Sequence, residues 1–148
     1  MGRVERSDMA GGQEQMRLLI PADPMAVRGA LTRIIGVLRL RGTSDEGLAR
    51  AEIALAEILN NIVEHGYAGD EGPIAIRMRC GDDRACFVVS DRGVVMPGGT
   101  LPDGTLPESG PPPEGGYGWF LVRSMAEHLD YRRSARTNLT RFEVVLGE

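Results

Sequence analysis

The sequence predicts an α+β fold, a two-layer α/β sandwich in which helices cover one face of a mostly antiparallel, mixed sheet. Three observations carry this. Two capped segments with helical apolar spacing follow one another between residues 23 and 65. Two strands of alternating or apolar character, Pro73 to Cys80 and Ala85 to Ser90, flank the turn Gly81-Asp82-Asp83. A chain of 148 residues, 42% hydrophobic and 26% charged, suffices for one core and is short for two.

The elements follow in order. Residues 1–16 are polar, contain Gly11-Gly12, and lack apolar periodicity, so they are expected to form a disordered tail preceding a domain at 17–148. Leu18-Leu19-Ile20 reads as a short strand stopped by Pro21. Asp23 then supplies an N-cap, and Pro24 occupies the first position of a helix running to about Arg41. Gly42 ends it, and Thr43-Ser44-Asp45-Glu46 caps a second helix from 45 to 65, with Leu48, Ala51, Leu55, Ile58, Leu59 and Ile62 as its apolar stripe. After the hairpin, Gly93 to Gly118 holds eight glycines, and six of the nine prolines lie between Pro97 and Pro113. This composition excludes regular structure across most of the stretch and marks 94–115 as a loop or lid. A third helix begins at Trp119, whose side chain, with that of Phe120, is expected to pack into the core beneath the lid. Asp130 to Arg133 and Arg141 to Leu146 close the sheet.

Charge and composition exclude several functions. A formal net charge of -4 without a dense Lys/Arg run argues against nucleic-acid binding. No segment reaches the roughly 20 apolar residues of a membrane helix, and the opening residues lack the apolar run of a secretory signal, so a cytoplasmic location without membrane contact is expected. Cys80 and Cys86 could face each other across the hairpin; buried strand thiols are the expectation. Arg28, Arg33, Arg39 and Arg41 make the first helix basic, either as a solvated face or as a docking surface for an acidic partner.

Three groups of residues can carry chemistry. Glu57, Asn61 and His65 recur at four-residue steps and share one helix face, which is either solvated or directed at a ligand. Asn60 competes with Asn61 but lies about 100° away around the helix and is out of step with Glu57. Asp91-Arg92-Gly93 ends a strand, where a carboxylate can accept from a ligand amine and glycine permits close approach; as a lone signal it is commonly a turn. Gly116-Tyr117-Gly118 opens the third helix, placing backbone N–H groups at its positive end, although such a pattern also occurs in linkers.

Taken together, Glu57-x-x-x-Asn61-x-x-x-His65, Asp91-x-Gly93, the Gly/Pro-rich loop and Gly116-x-Gly118-x-x-Leu121 resemble the N box and the two glycine boxes of the GHKL ATPases, which include gyrase, the histidine kinases and the mismatch-repair ATPases. The likeness spans about residues 17 to 146. The segment Ala56 to Tyr67, with His65-Gly66-Tyr67 at its end, looks most like the corresponding helix of the anti-sigma-factor serine kinases, and the expected fold is accordingly the Bergerat fold.

The resemblance implies roles. Asn61 would hold Mg²⁺ against the phosphates of ATP. Asp91 would read the adenine amino group, and Gly93 would let the base lie close. Gly116, Tyr117 and Gly118 would cradle the phosphates. Glu57 would be the general base, and His65 would help with phosphates or merely cap its helix. Two departures stand out: Val94-Val95-Met96-Pro97 follows Gly93 where a further glycine would be expected, and the lid is rich in proline.

The implied function is an ATP-dependent serine/threonine protein kinase that phosphorylates a STAS-like anti-sigma-factor antagonist, sequesters a sigma factor in its other state, and pairs as a homodimer. The alternatives are a non-catalytic ATP-dependent binding switch and a histidine-kinase-like ATPase fragment.

Overall fold

The computed structural model describes residues 13–106, 110 and 116–147. Five strands, β1 (Gln13–Pro21), β2 (Pro73–Cys80), β3 (Arg84–Asp91), β4 (Glu127–Ser134) and β5 (Thr137–Val145), form one sheet in the order β1-β2-β3-β5-β4. All four pairings are antiparallel, so among the described residues the sheet is not mixed. Three helices complete the fold: α1 (Pro24–Leu40), α2 (Asp45–Asn61) and α3 (Gly116–Met125).

Local chemistry explains the boundaries. Asp23 accepts a hydrogen bond from the Ala26 N–H at 3.0 Å, with Pro24 at the first position of α1. Ser44 Oγ accepts from the Gly47 N–H at 3.0 Å and donates to the Leu146 carbonyl at 3.1 Å, so one hydroxyl both caps α2 and ties it to the end of β5. The two cysteines lie on opposite faces of the sheet: Cys80 pairs with Ala85, and Cys86 pairs with Arg79. Both are buried and free, and burial raises the Cys80 thiol above its ordinary pKa.

Several boundaries differ from expectation: β4 begins at Glu127 and β5 at Thr137, ahead of the expected Asp130 and Arg141, and two further differences concern β1 and α2. β1 begins at Gln13, so residues 13–16 belong to the sheet although three of the four are polar. Arg17 pairs with Arg77 and Gln13 with Cys80, with an irregularity between Glu14 and Met16. An edge strand in which Met16, Leu18 and Ile20 contact the core carries little apolar alternation to reveal its start. Residues 1–12, the rest of the expected tail, lie outside the described residues. The second helix is also interrupted. Its last turn, Ile62–Gly66, is π-helical, closed by a 2.8 Å bond from the Tyr67 N–H to the Ile62 carbonyl.

The core lies between the helices and one sheet face. Ile34, Leu38, Leu55, Ile58 and Leu59 meet Ile74, Ile76, Met78, Phe87, Val89, Phe142 and Val144. Phe87 and Phe142 sit opposite each other on β3 and β5, their rings stacked with centroids 5.2 Å apart. Such a pair contributes about 0.5–1.5 kcal/mol beyond its buried area. Four residues along the two strands from this pair, Asp91 and Asn138 carry polar groups on the same inward face, and there the core opens into a cavity.

Candidate nucleotide-binding site

A cavity of about 560 Å³ opens between the end of α2, the sheet and the segment after β3. Asn61, Ile62, His65 and Gly66 line it from α2 and the π turn; Asp91, Asn138 and Thr140 from the sheet; Met96, Leu101 and Thr105 from the segment after β3; and Trp119 from α3. The π turn shapes one wall. It brings the Gly66 carbonyl to 2.9 Å from the Val94 N–H, which donates to it, and joins the two segments at the floor.

That junction leaves no room for a side chain. A Cβ on Gly93 would stand 2.5 Å from both the carbonyl carbon and the oxygen of Gly66. The demand at Gly93 is therefore close approach of two backbones. Tyr67 secures the same corner from behind. Its hydroxyl donates to the Pro73 carbonyl at 2.6 Å and accepts from the Arg92 N–H at 2.7 Å, while burial raises its pKa.

Asp91 is buried, 4% exposed, yet it is partnered on one oxygen only. Oδ1 accepts from the Gly93 N–H at 2.8 Å and from Asn138 Nδ2 at 2.9 Å. No described residue bonds Oδ2, which leaves an acceptor for a ligand in a cavity whose walls join apolar Ile58, Ile62, Met96, Leu101 and Trp119 to a few polar side chains. This geometry fits recognition of an amine on a flat, largely apolar group.

The other expected site residues take different positions. Glu57 does not line the cavity; its carboxylate reaches α3, where a Cβ on Gly118 would stand 2.7 Å from Glu57 Oε1. Asn61, partly buried, lines the cavity one turn further along α2, between Glu57 and the Asp91 end. Asn60 is exposed. His65 lies at the rim with its side chain 71% exposed, its nearest anion Glu64 Oε1 at 4.0 Å. Gly116 is the first residue of α3, and Tyr117 beside it is 54% exposed. Residues 107–109 and 111–115, most of the later half of the expected lid, lie outside the described residues. The first half is held down: Arg123 Nε and Nη2 donate to the Pro102 carbonyl at 3.1 and 2.8 Å.

Sequence reasoning missed three cavity residues, Tyr131, Asn138 and Thr140. The signal for Asn138 and Thr140 was the alternation of β5, which puts them on the inward face with Phe142, and Tyr131 on β4 had none of its own. Trp119 is buried as expected and also lines the cavity, whereas Phe120, expected in the core, is 42% exposed because it falls on the outer side of α3.

The profile of the histidine kinase-like ATPase domain matches residues 20–144. The chain belongs to this ATPase family. Within it, the chain is similar to the serine-protein kinase RsbW of Bacillus cereus, 30% identical over 121 residues that cover 78% of this chain and 76% of the relative. A similar relative from Bacillus mycoides is 29% identical over the same shares. These relatives place the chain in the anti-sigma-factor kinase branch of the GHKL ATP-binding domains.

Solved structures agree on the fold. The RsbU and RsbW domains of Rv1364c from Mycobacterium tuberculosis superpose with a TM-score of 0.60 at 20% identity, over 89% of this chain and 33% of that one. The histidine kinase domain of a blue-light-activated kinase from Erythrobacter litoralis gives 0.51 at 18% identity, over 84% and 63%. The GHKL domain is a nucleotide-binding fold, and the cavity holding Asp91 is the candidate nucleotide site. Among the described residues no helix is long and apolar enough to cross a membrane.

Proposed function

We propose that this chain is an ATP-dependent serine/threonine protein kinase that phosphorylates an anti-sigma-factor antagonist and, in its other state, sequesters a sigma factor. The observation that carries the catalytic part is the juxtaposition of the Glu57 carboxylate with Gly118 in the first turn of α3. A helix N-terminus is where phosphate oxygens are best received, so Glu57 stands beside the position a terminal phosphoryl group would take.

The roles divide along the cavity. Asp91 Oδ2 accepts from the exocyclic amine of adenine, and Ile62, Met96 and Leu101 enclose the base. Gly93 allows the base to approach the floor. Gly116, Tyr117 and Gly118 present backbone N–H groups to the phosphates. Asn61 offers its amide oxygen as one ligand to Mg²⁺, an ion that takes few protein ligands and, when bound, neutralises charge on the terminal phosphates. His65, exposed at the rim, fits a helix-end role better than a phosphate contact.

Glu57 takes the proton of the attacking hydroxyl as that oxygen bonds to the γ-phosphorus, and the electron pair of the broken bond leaves on ADP. The RsbW relatives are named serine-protein kinases, which supports a seryl acceptor. The basic residues of α1, Arg28, Arg33 and Arg39, are exposed and suit an acidic partner surface.

One observation favours a second reading. Glu57 lies beside the cavity and outside its lining, as it would in an ATP-dependent switch that binds a partner without transferring phosphate. Transfer from labelled ATP with Mg²⁺ to candidate antagonists, run with wild type and Glu57→Ala in parallel, separates the two. Transfer lost in the variant while nucleotide binding survives supports the kinase. Tight ATP binding with no transfer to any candidate supports the switch.

A further inference from the structure

Asn138 is 4% exposed and lies directly across the ladder from Asp91. Its amide can sit only one way round. Oδ1 accepts from the Tyr131 hydroxyl and from Arg133 Nη1 at 3.1 Å. Nδ2 faces three acceptors: Asp91 Oδ1 at 2.9 Å, the Gly93 carbonyl at 3.1 Å and the Val94 carbonyl at 3.0 Å. Turning the amide over would set an oxygen against three oxygens and an NH₂ against two donors.

This fixed polarity passes to position 91. Whatever atom occupies the place of Asp91 Oδ1 meets two donors, Asn138 Nδ2 and the Gly93 N–H, and must accept from both. The other end of the side chain is then the group that faces the ligand. The same amide holds the turn that carries Gly93 and Val94, and Tyr131, which donates to Asn138, accepts from the Met96 N–H at 3.0 Å. The floor of the cavity and the start of the segment after β3 thus hang on one buried side chain.

We propose that Asn138 is a specificity-determining residue: by holding one end of the residue 91 side chain on its amide it fixes the other end against the ligand, where the carboxylate oxygen of Asp91 favours a 6-aminopurine over a 6-oxopurine. The inference rests on the nucleotide-site reading above and deepens it. It has a sharp consequence. An asparagine at position 91 would be turned by Asn138 so that its oxygen takes the two donors and its NH₂ enters the cavity, where it matches the 6-oxo group of hypoxanthine and opposes the amine of adenine.

The test is competition of ATP and ITP, each with Mg²⁺, against a fluorescent ATP analogue, with thermal melting of every variant. ITP differs from ATP at the purine 6-position and the adjoining N1 proton, without the extra amine of GTP. Wild type should favour ATP by about tenfold or more, the discrimination expected of a buried group that must be paired. Asp91→Asn should reverse the preference toward ITP, and Asp91→Asn with Asn138→Ala should shrink that reversal severalfold, because the Gly93 N–H is then the one donor of the two left to impose the orientation. Asn138→Ala alone should weaken ATP more than ITP. Because loss of packing alone would weaken both equally, the ratio is the diagnostic. Should Asn138→Ala fail to fold, Tyr131→Phe removes one donor to Asn138 and should move the ratio in the same direction by less.

An unchanged ratio in Asn138→Ala, or in Tyr131→Phe where it stands in, overturns the inference while leaving the site intact. So does a folded Asp91→Asn protein that gains nothing for ITP. A wild type that binds neither nucleotide overturns the site reading and this inference with it.

Discussion

Gly118 and the Glu57 carboxylate fill adjoining space: a methyl group on Gly118 would stand 2.7 Å from Glu57 Oε1. The atom in the way is the far end of a flexible side chain, so Gly118→Ala displaces the carboxylate and spares the backbone. Alanine is also the better helix former by about 1 kcal/mol, although less in a first turn. The variant should therefore melt at or above the wild-type temperature while phosphate transfer falls about tenfold or more, the scale of a misplaced general base. Parallel melting and transfer assays check it, and a drop in both would mean that the contact is structural.

Gly93 offers the contrast. A Cβ there meets the Gly66 backbone at 2.5 Å, and neither chain is free to give way. Gly93→Ala must part the strand end from the π turn and stretch the Val94 N–H bond to the Gly66 carbonyl. Overpacking of this kind costs about 1–3 kcal/mol. Denaturant unfolding should show that loss, and nucleotide affinity should fall with it because the floor of the cavity is the part that moves.

The difference between these glycines also indicates what the sequence could reveal. Asp23-Pro24, Ser44 and Gly81-Asp82-Asp83 are local signals, and each produced the element expected of it because caps and turns are decided within a few residues. Asp91 and Gly93 were legible as a strand end followed by a permissive position. Asn138 and Tyr131 were not, because Asn138 reaches Asp91 through the pairing of β3 with β5, 47 residues along the chain, and Tyr131 reaches Met96 across 35 residues, and contacts of that range leave no local trace. The π turn was equally hidden, since the i to i+5 bond of Tyr67 follows from where its buried hydroxyl is held.

Tyr67 supplies a pH test. Burial lifts its pKa above the ordinary 10.0, so its neutral form stabilises the fold fully below pH 10, and that stability is lost as the pH rises through the folded-state value. Tyr67→Phe forfeits the bond to the Pro73 carbonyl and strands the Arg92 N–H, a loss of about 1–3 kcal/mol at neutral pH. Above pH 10 the gap between wild type and variant should narrow, because only the wild type has this phenol to ionise. Urea unfolding on both sides of pH 10 measures it; a constant gap would show that the hydroxyl contributes nothing through its protonation.

Arg123 fastens the segment after β3 to α3 by two donors on a single carbonyl, that of Pro102. The guanidinium is exposed, so its removal costs the fold little, under about 1 kcal/mol by the standard of exposed polar contacts. It should nevertheless loosen the wall that Leu101 and Thr105 give the cavity. Arg123→Ala should release bound nucleotide severalfold faster with an unchanged melting temperature and should hasten proteolytic cleavage between residues 97 and 106. Arg123→Lys, which keeps the charge and can present only a single point of donation, should fall between the two. A lysine variant equal to wild type would show that charge beside α3 suffices, and an alanine variant with wild-type release would show that this wall is held by apolar packing alone.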